Sequence, residues 1–270
     1  MTAPIGSITH PDDIKSFADI SGIVETQQTN QPVFATYWKI YENGDAYVAI
    51  VPKSRLDTKI EEVIPALQRV PDEKIYPDLS AGVELTILPS TWASDVNIFT
   101  KRPSFMWIED GDYHWIRNIF LAEAKIVEQI SRAPHKNIAQ YYGCYQRDGR
   151  LTGIALRRYE YTLVEYFQKA CGNLAVEVFM ARLESAIHHL HSLGLAHNDL
   201  KPSNIMLDTE NMPVLIDFGC CQPFGARLMQ GGTVEWQEKP FSTSHCSHDI
   251  YGLELIREWL MDPKRDLTRC

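Results

Sequence analysis

Two short stretches carry the residue types that chemistry needs. The first, His197-Asn198-Asp199-Leu200-Lys201-Pro202-Ser203-Asn204, stands directly after a long apolar-periodic segment. The second, Asp217-Phe218-Gly219, lies thirteen residues past Asn204, behind the apolar run Val214-Leu215-Ile216. Phosphoryl transfer needs a carboxylate that orients an acceptor hydroxyl and takes up its proton. It also needs a carboxylate and an amide oxygen to hold Mg²⁺ on nucleotide phosphates, and lysines to neutralise the transferring group. The two stretches supply each of these on loops that follow apolar strands. A lone Asp-Phe-Gly is common by chance; a long polar loop with the second motif at this spacing is not.

The surrounding chain bounds what these residues can belong to. Its 270 residues are 44% hydrophobic and 23% charged, with 15 Gly and 15 Pro, which are globular proportions with room for one large domain or two small ones. The formal charge of −9 leaves no broad basic footprint, so nucleic acid is not the expected partner. No run of about eighteen apolar residues is present, so no membrane span is expected, and the first residues lack the basic head and apolar core of a secretory signal. The six cysteines show no repeated CxxC, and vicinal Cys220-Cys221 suits neither a disulfide nor zinc, so reduced thiols in a cytoplasmic protein are expected.

The elements that must position the two stretches follow from periodicity and turn chemistry. Residues 1–32 read as a polar arm. Val33–Tyr41 and Ala46–Val51 read as strands joined at Asn43-Gly44, and Leu56 to Val70 as a helix. Val83–Leu88 and Val96–Lys101 read as strands, and Tyr113 to Ile130 as a helix. A hairpin turning at Arg147-Asp148-Gly149-Arg150 follows, then a core helix from Leu174 to Leu193 stopped by Gly194, and a last helix from Asp249 to Met261. His188, His189 and His191 read as surface or packing residues of the core helix.

HxDLKPSN followed by DFG resembles the catalytic and metal-binding loops of eukaryotic-type protein kinases. The wording of Tyr141-Tyr142-Gly143-Cys144 and His191-Ser192-Leu193-Gly194 looks like the Ser/Thr kinase-like proteins of filamentous fungi. The resemblance covers about residues 83 to 262. It implies an α+β, bilobal kinase-like fold, with a β-rich N-lobe, a truncated helical C-lobe and ATP in the cleft between them. It divides the chain into an added α+β extension (1–80), an N-lobe with hinge (81–160) and a short C-lobe (161–270). It implies Asp199 as catalytic base, Lys201 on the transferring phosphate, and Asn204 and Asp217 as Mg²⁺ ligands. Leu121-Ala122-Glu123-Ala124 looks like the kinase αC helix, so Glu123 would pair with the nucleotide lysine, Lys101, which is better placed than Lys53. Leu156-Arg157-Arg158-Tyr159-Glu160 would be the hinge, placing Arg158 and Tyr159 at the adenine. Asp249 resembles the aspartate that anchors the catalytic loop; on its own it reads as a helix N-cap, and the two roles are compatible.

Three departures set the alternatives. No glycine-rich loop precedes Lys101; Pro89–Ser94 is the candidate phosphate cover and has no glycine, unless the Asn43-Gly44 hairpin substitutes. Asn198 stands where the family has an arginine, which implies activity not switched by activation-loop phosphorylation. Glu238-Lys239-Pro240 replaces the family's APE triplet. The resemblance implies ATP- and Mg²⁺-dependent transfer to a serine or threonine hydroxyl, and Lys201, two residues after Asp199, favours this over a small-molecule kinase. The alternatives are a small-molecule kinase of a biosynthetic pathway, a pseudokinase scaffold, or nucleotidyl transfer on a kinase fold.

Overall fold

The computed structural model describes residues 11–26, 33–79, 82–105, 113–169 and 174–261. The polar run 27–31, the first ten residues and the tail beyond Met261 lie outside the described residues. In chain order the strands and helices are β1 (Gly22–Thr26), β2 (Phe34–Ile40), β3 (Ala46–Val51), α1 (Ile60–Val63), β4 (Gln68–Val70), α2 (Asp72–Ile75), β5 (Ile98–Lys101), α3 (His114–Ser131), β6 (Tyr141–Arg147), β7 (Arg150–Arg157), α4 (Leu163–Gln168), α5 (Val176–Ser192), β8 (Leu195–Ala196), β9 (Ile205–Leu207), β10 (Pro213–Leu215), β11 (Gln222–Pro223) and α6 (Cys246–Met261). Their sheets run β1-β2-β3-β4, β5-β7-β6, β10-β9 and β11-β8. The architecture is mixed α+β and kinase-like, as the motifs imply. Among the described residues no helix is long and apolar enough to cross a membrane.

The chain forms two compact units: residues 1–83, 101–120 and 145–153, and residues 84–100, 121–144 and 154–270. Helix α3 and strands β5, β6 and β7 each contribute residues to both.

The first unit is built on the antiparallel β1-β2-β3-β4 sheet. Tyr37, Tyr41, Tyr47, Val51 and Val63 pack one core beneath it, and Trp38, Val48, Ile75, Tyr76 and Phe105 another. Three readings of this region are corrected. The arm is not structureless throughout: residues 22–26 are the edge strand β1, and Trp38 fills the space a side chain at Gly22 would need. The β2–β3 turn is longer than two residues; the Tyr41 amide bonds the Asp45 carbonyl, and Gly44 sits at φ 91°. The helix from Leu56 to Val70 ends at Val63, because Pro65 cannot continue it, and 68–70 joins the sheet as β4.

The Asn43-Gly44 turn is held inside this unit. Tyr76 Oη donates to the Gly44 carbonyl at 2.5 Å, and the Arg147 guanidinium to the Asn43 carbonyl at 2.8 Å. Asp45 pairs with Arg69 at 2.9 Å and Arg147 at 3.1 Å. Burial alone would push the Asp45 carboxyl up, but the Arg69 hydrogen bond and the Arg147 charge outweigh it and hold the carboxyl below its usual range. A depressed carboxylate stabilises the fold above its unfolded pKa, and that contribution is lost as pH falls through the folded pKa. Asp45→Asn is therefore expected to lose about 1 kcal/mol at pH 7 and to flatten the pH dependence of melting below about pH 4. Thermal melts of the two proteins between pH 2 and 7 check this.

The second unit is centred on α5, whose Phe179, Leu183, Ile187 and Leu190 are wholly buried. Gly194, at φ 75°, ends that helix as expected, and its amide bonds the His191 carbonyl. Thr162 and Glu165 cap α4 reciprocally. The expected strand 83–88 forms no ladder. Thr86 instead gives its amide and hydroxyl to the Glu128 carboxylate, and Ile87 makes a single parallel bridge to Cys144. The strand predicted from Val96 begins at Ile98, because Asp95 and Asn97 form a turn before it.

Candidate active site

The loop between β8 and β9 is drawn tight by its own polar side chains. Asn204 donates from Nδ2 to both the Asp199 carbonyl and Asp199 Oδ2, each at 2.9 Å. Lys201 Nζ lies 3.1 Å from Asp199 Oδ2 and 2.5 Å from Thr233 Oγ1. The Thr233 amide donates to Asp199 Oδ1 at 2.7 Å. One carboxylate is thus held by an amide, an ammonium and a backbone N–H. Gly232 precedes Thr233 because a Cβ there would run into the Asn198 carbonyl.

Asp217 stands at φ 62° and accepts the Gly219 amide on Oδ1 at 3.2 Å. The next residue, Phe218, is buried against His197 with ring centroids 5.5 Å apart, and its amide donates to Glu123 Oε1 at 3.2 Å. His197 in turn donates from Nε2 to the Ile216 carbonyl at 2.9 Å. Asp199, Lys201, Asn204, Asp217 and Glu123 therefore all lie in the second unit. Lys101 closes β5 and belongs to the first unit, while its rival Lys53 is paired with Glu62 at 2.5 Å.

The hinge side chains are engaged within the protein, while the reading of this stretch at the adenine concerns its backbone. Arg158 spends Nε on the Val96 carbonyl at 2.9 Å and an Nη on the Ile98 carbonyl at 2.8 Å, tying β7 to the start of β5. Tyr159 lies beneath the Arg157 guanidinium, and burial raises its phenol pKa. The stretch 90–94, read as phosphate cover, is a 3₁₀ turn.

Asp249 is wholly buried one turn inside α6, so it is not an N-cap. It accepts the His197 amide on Oδ2 and the Asn198 amide on Oδ1, both at 2.8 Å. His191 Nε2 donates to the same carboxylate at 2.7 Å. His191 thus supports the 197–204 loop through Asp249, a role the reading as packing missed; the signal was its position at the end of α5, six residues before His197. Burial first, then the Asp199 and Asp217 charges, push the Cys220 thiol up, and burial does the same to Cys221, which disfavours their reactive thiolate forms. Cys144, Cys220, Cys221 and Cys246 are free. Among the described residues no group of His, Cys, Asp and Glu has the makings of a self-contained metal site.

Residues 108–237 match the family described as protein kinase domain. The chain is 35% identical over 112 residues to the serine/threonine-protein kinase/endoribonuclease IRE2 of Homo sapiens, covering 38% of this chain and 12% of that protein. It is 38% identical over 127 residues to the serine/threonine-protein kinase/endoribonuclease IRE1 of Hypocrea jecorina, covering 43% of this chain and 10% of that protein. With the serine/threonine-protein kinase D of Synechocystis sp. the identity is 28% over 160 residues, 52% of this chain and 30% of the relative. The chain thus matches less than a third of each relative's length. The match, just under half of the chain, spans both chemical stretches and the helix that carries Glu123, and supports a protein kinase-like family.

Proposed function

We propose that the chain is an ATP- and Mg²⁺-dependent phosphotransferase acting on serine or threonine hydroxyls. The observation that carries this reading is the Asp199 carboxylate, fixed by Lys201, Asn204 and the Thr233 amide. Asp199 orients the acceptor hydroxyl and takes its proton. Lys201, tethered to Thr233, supplies positive charge on the same side. The donor set also fits a hard cation. Asn204 turns its N–H groups to Asp199, which leaves its amide oxygen for the metal, and Asp217 contributes a carboxylate. ATP bound with Mg²⁺ supplies the transferable phosphoryl group. Lys101 is assigned to the nucleotide phosphates, Glu123 supports the Asp217 loop through the Phe218 amide, and the backbone of 156–160 faces the adenine. In this reading residues 1–80 are an added α+β module, 81–160 the strand-rich lobe and hinge, and 161–270 the helical lobe.

The test is thermal stability with ATP, with and without Mg²⁺. A ligand that binds only the folded protein at about 100 times its Kd adds about 2.7 kcal/mol, which is roughly 5–10 °C for a protein of this size. The expected result is a magnesium-dependent rise that Asp217→Asn abolishes. No rise at millimolar ATP would contradict the reading and favour a scaffold that does not use nucleotide.

A further inference from the structure

The segment from Cys220 to Gly231 joins the Asp217 loop to Thr233, so its conformation decides whether Asp199 keeps its Thr233 partner. It contains no serine, threonine or tyrosine. It is nevertheless fastened along its length. Gln222 and Pro223 pair with Ala196 and Leu195. The Phe224 amide bonds the Gly194 carbonyl at 2.9 Å. The Gly225 amide bonds the Ser244 carbonyl and the Leu228 amide the Ser242 carbonyl, each at 2.9 Å, while the Ser244 amide returns a bond to Ala226 at 2.8 Å. Cys220 Sγ closes on the Gly231 carbonyl at 3.4 Å.

One side chain ties this ladder to the catalytic loop. Asn198 is buried, adjoins Asp199, and stands at φ 63°, a conformation asparagine tolerates better than most residues. Its Nδ2 is directed at the Ala196 carbonyl (2.9 Å), the Cys220 carbonyl (3.0 Å) and Ser244 Oγ (3.0 Å). Ser244 Oγ passes the bond on to the Gln222 carbonyl at 2.9 Å. Asn198 Oδ1 accepts from His248 Nδ1 at 3.0 Å and from the His245 amide at 3.4 Å. His248 is itself stacked on Phe241, with ring centroids 3.5 Å apart. An amide offers donors and an acceptor together, and both sides are used here.

We propose that Asn198 is a positioning residue that locks the 220–231 segment to the catalytic loop, so that Asp199 is set for transfer without covalent modification of that segment. The inference rests on the reading of Asp199 as the base. Asn198→Asp keeps the size and the acceptor but turns a carboxylate toward two carbonyl oxygens, breaking the donor half of the hub. Asn198→Gly keeps the backbone freedom and removes the amide. Ser244→Ala removes one link and leaves Asn198 intact.

The experiment combines hydrogen exchange of the unmodified full chain with steady-state kinetics. In the wild type the Phe224, Gly225 and Leu228 amides exchange slowly, and phosphatase treatment leaves the rate of transfer unchanged. In Asn198→Asp and Asn198→Gly these amides exchange at least about tenfold faster. In both variants kcat falls by up to roughly 100-fold, because the base is misaimed, while the KM for ATP stays within about twofold. Ser244→Ala gives the same pattern, more weakly, in a protein that still melts cooperatively. Fast exchange of these amides in the wild type, or loss of activity on phosphatase treatment, would overturn the proposal. So would an Asn198→Gly protein with wild-type kcat. If the exchange pattern holds and no transfer occurs at all, the lock stands as a structural device and the phosphotransferase reading falls instead.

Discussion

Asp199→Asn lowers kcat for phosphoryl transfer by roughly 10³-fold, while the melting temperature and the ATP·Mg²⁺ stabilisation stay near those of the wild type. The carboxylate that takes up the acceptor proton contributes about 10²- to 10⁴-fold, and an amide cannot replace it as a base. The substitution is isosteric. It leaves one oxygen to accept from Asn204 or from the Thr233 amide, so the loop keeps part of its wiring. Single-turnover kinetics with labelled ATP separate the lost chemistry from nucleotide affinity. A variant that transfers phosphate at the wild-type rate would remove Asp199 from the mechanism.

Asp249→Ala has the largest expected effect on stability. The carboxylate is wholly buried and collects three donors: the His197 and Asn198 amides and His191 Nε2. Each buried donor left unsatisfied costs about 1–3 kcal/mol, so a loss of about 4 kcal/mol is expected, or roughly 10 °C in Tm. His191→Ala removes one donor and leaves the two backbone bonds, so it should cost much less. Denaturant melts of both variants measure the difference. Equal losses would place the energy in His191 packing rather than in the anchoring of the catalytic loop.

What could be read from sequence depended on whether the signal was local. The Asp148-Gly149 turn was legible because both residues stand at positive φ, 49° and 74°, which few other pairs adopt. Gly194 announced the end of α5 for the same reason. Pro65 was equally visible, yet the apolar spacing of Ile60, Val63, Ile64 and Leu67 suggested a helix across it; the proline ended that helix and the sheet took the rest. Strand β1 carries little pattern of its own, because an edge strand is fixed by its partner, here β2 with Trp38 over Gly22.

At the site, residue identities and spacing brought Asp199, Lys201 and Asn204 together, since the last stands five positions after the first. The role of Asn198 was hidden. In the sequence it is only the loss of an arginine, whereas two of its acceptors are main-chain carbonyls and another is Ser244, 46 residues away. Arg158 was assigned to the adenine through its backbone, by position in the hinge; what its side chain does was not legible. Its guanidinium is taken up by the Val96 and Ile98 carbonyls, which no spacing rule reveals.

The most direct measurement is transfer of label from ATP to a generic serine- and threonine-bearing protein, run in parallel with γ-labelled and α-labelled nucleotide and Mg²⁺. The account predicts label on serine or threonine from the γ position only, absent without Mg²⁺ and absent in Asp199→Asn. Label arriving from the α position, or no transfer to any protein hydroxyl by a chain that binds ATP·Mg²⁺, would contradict it.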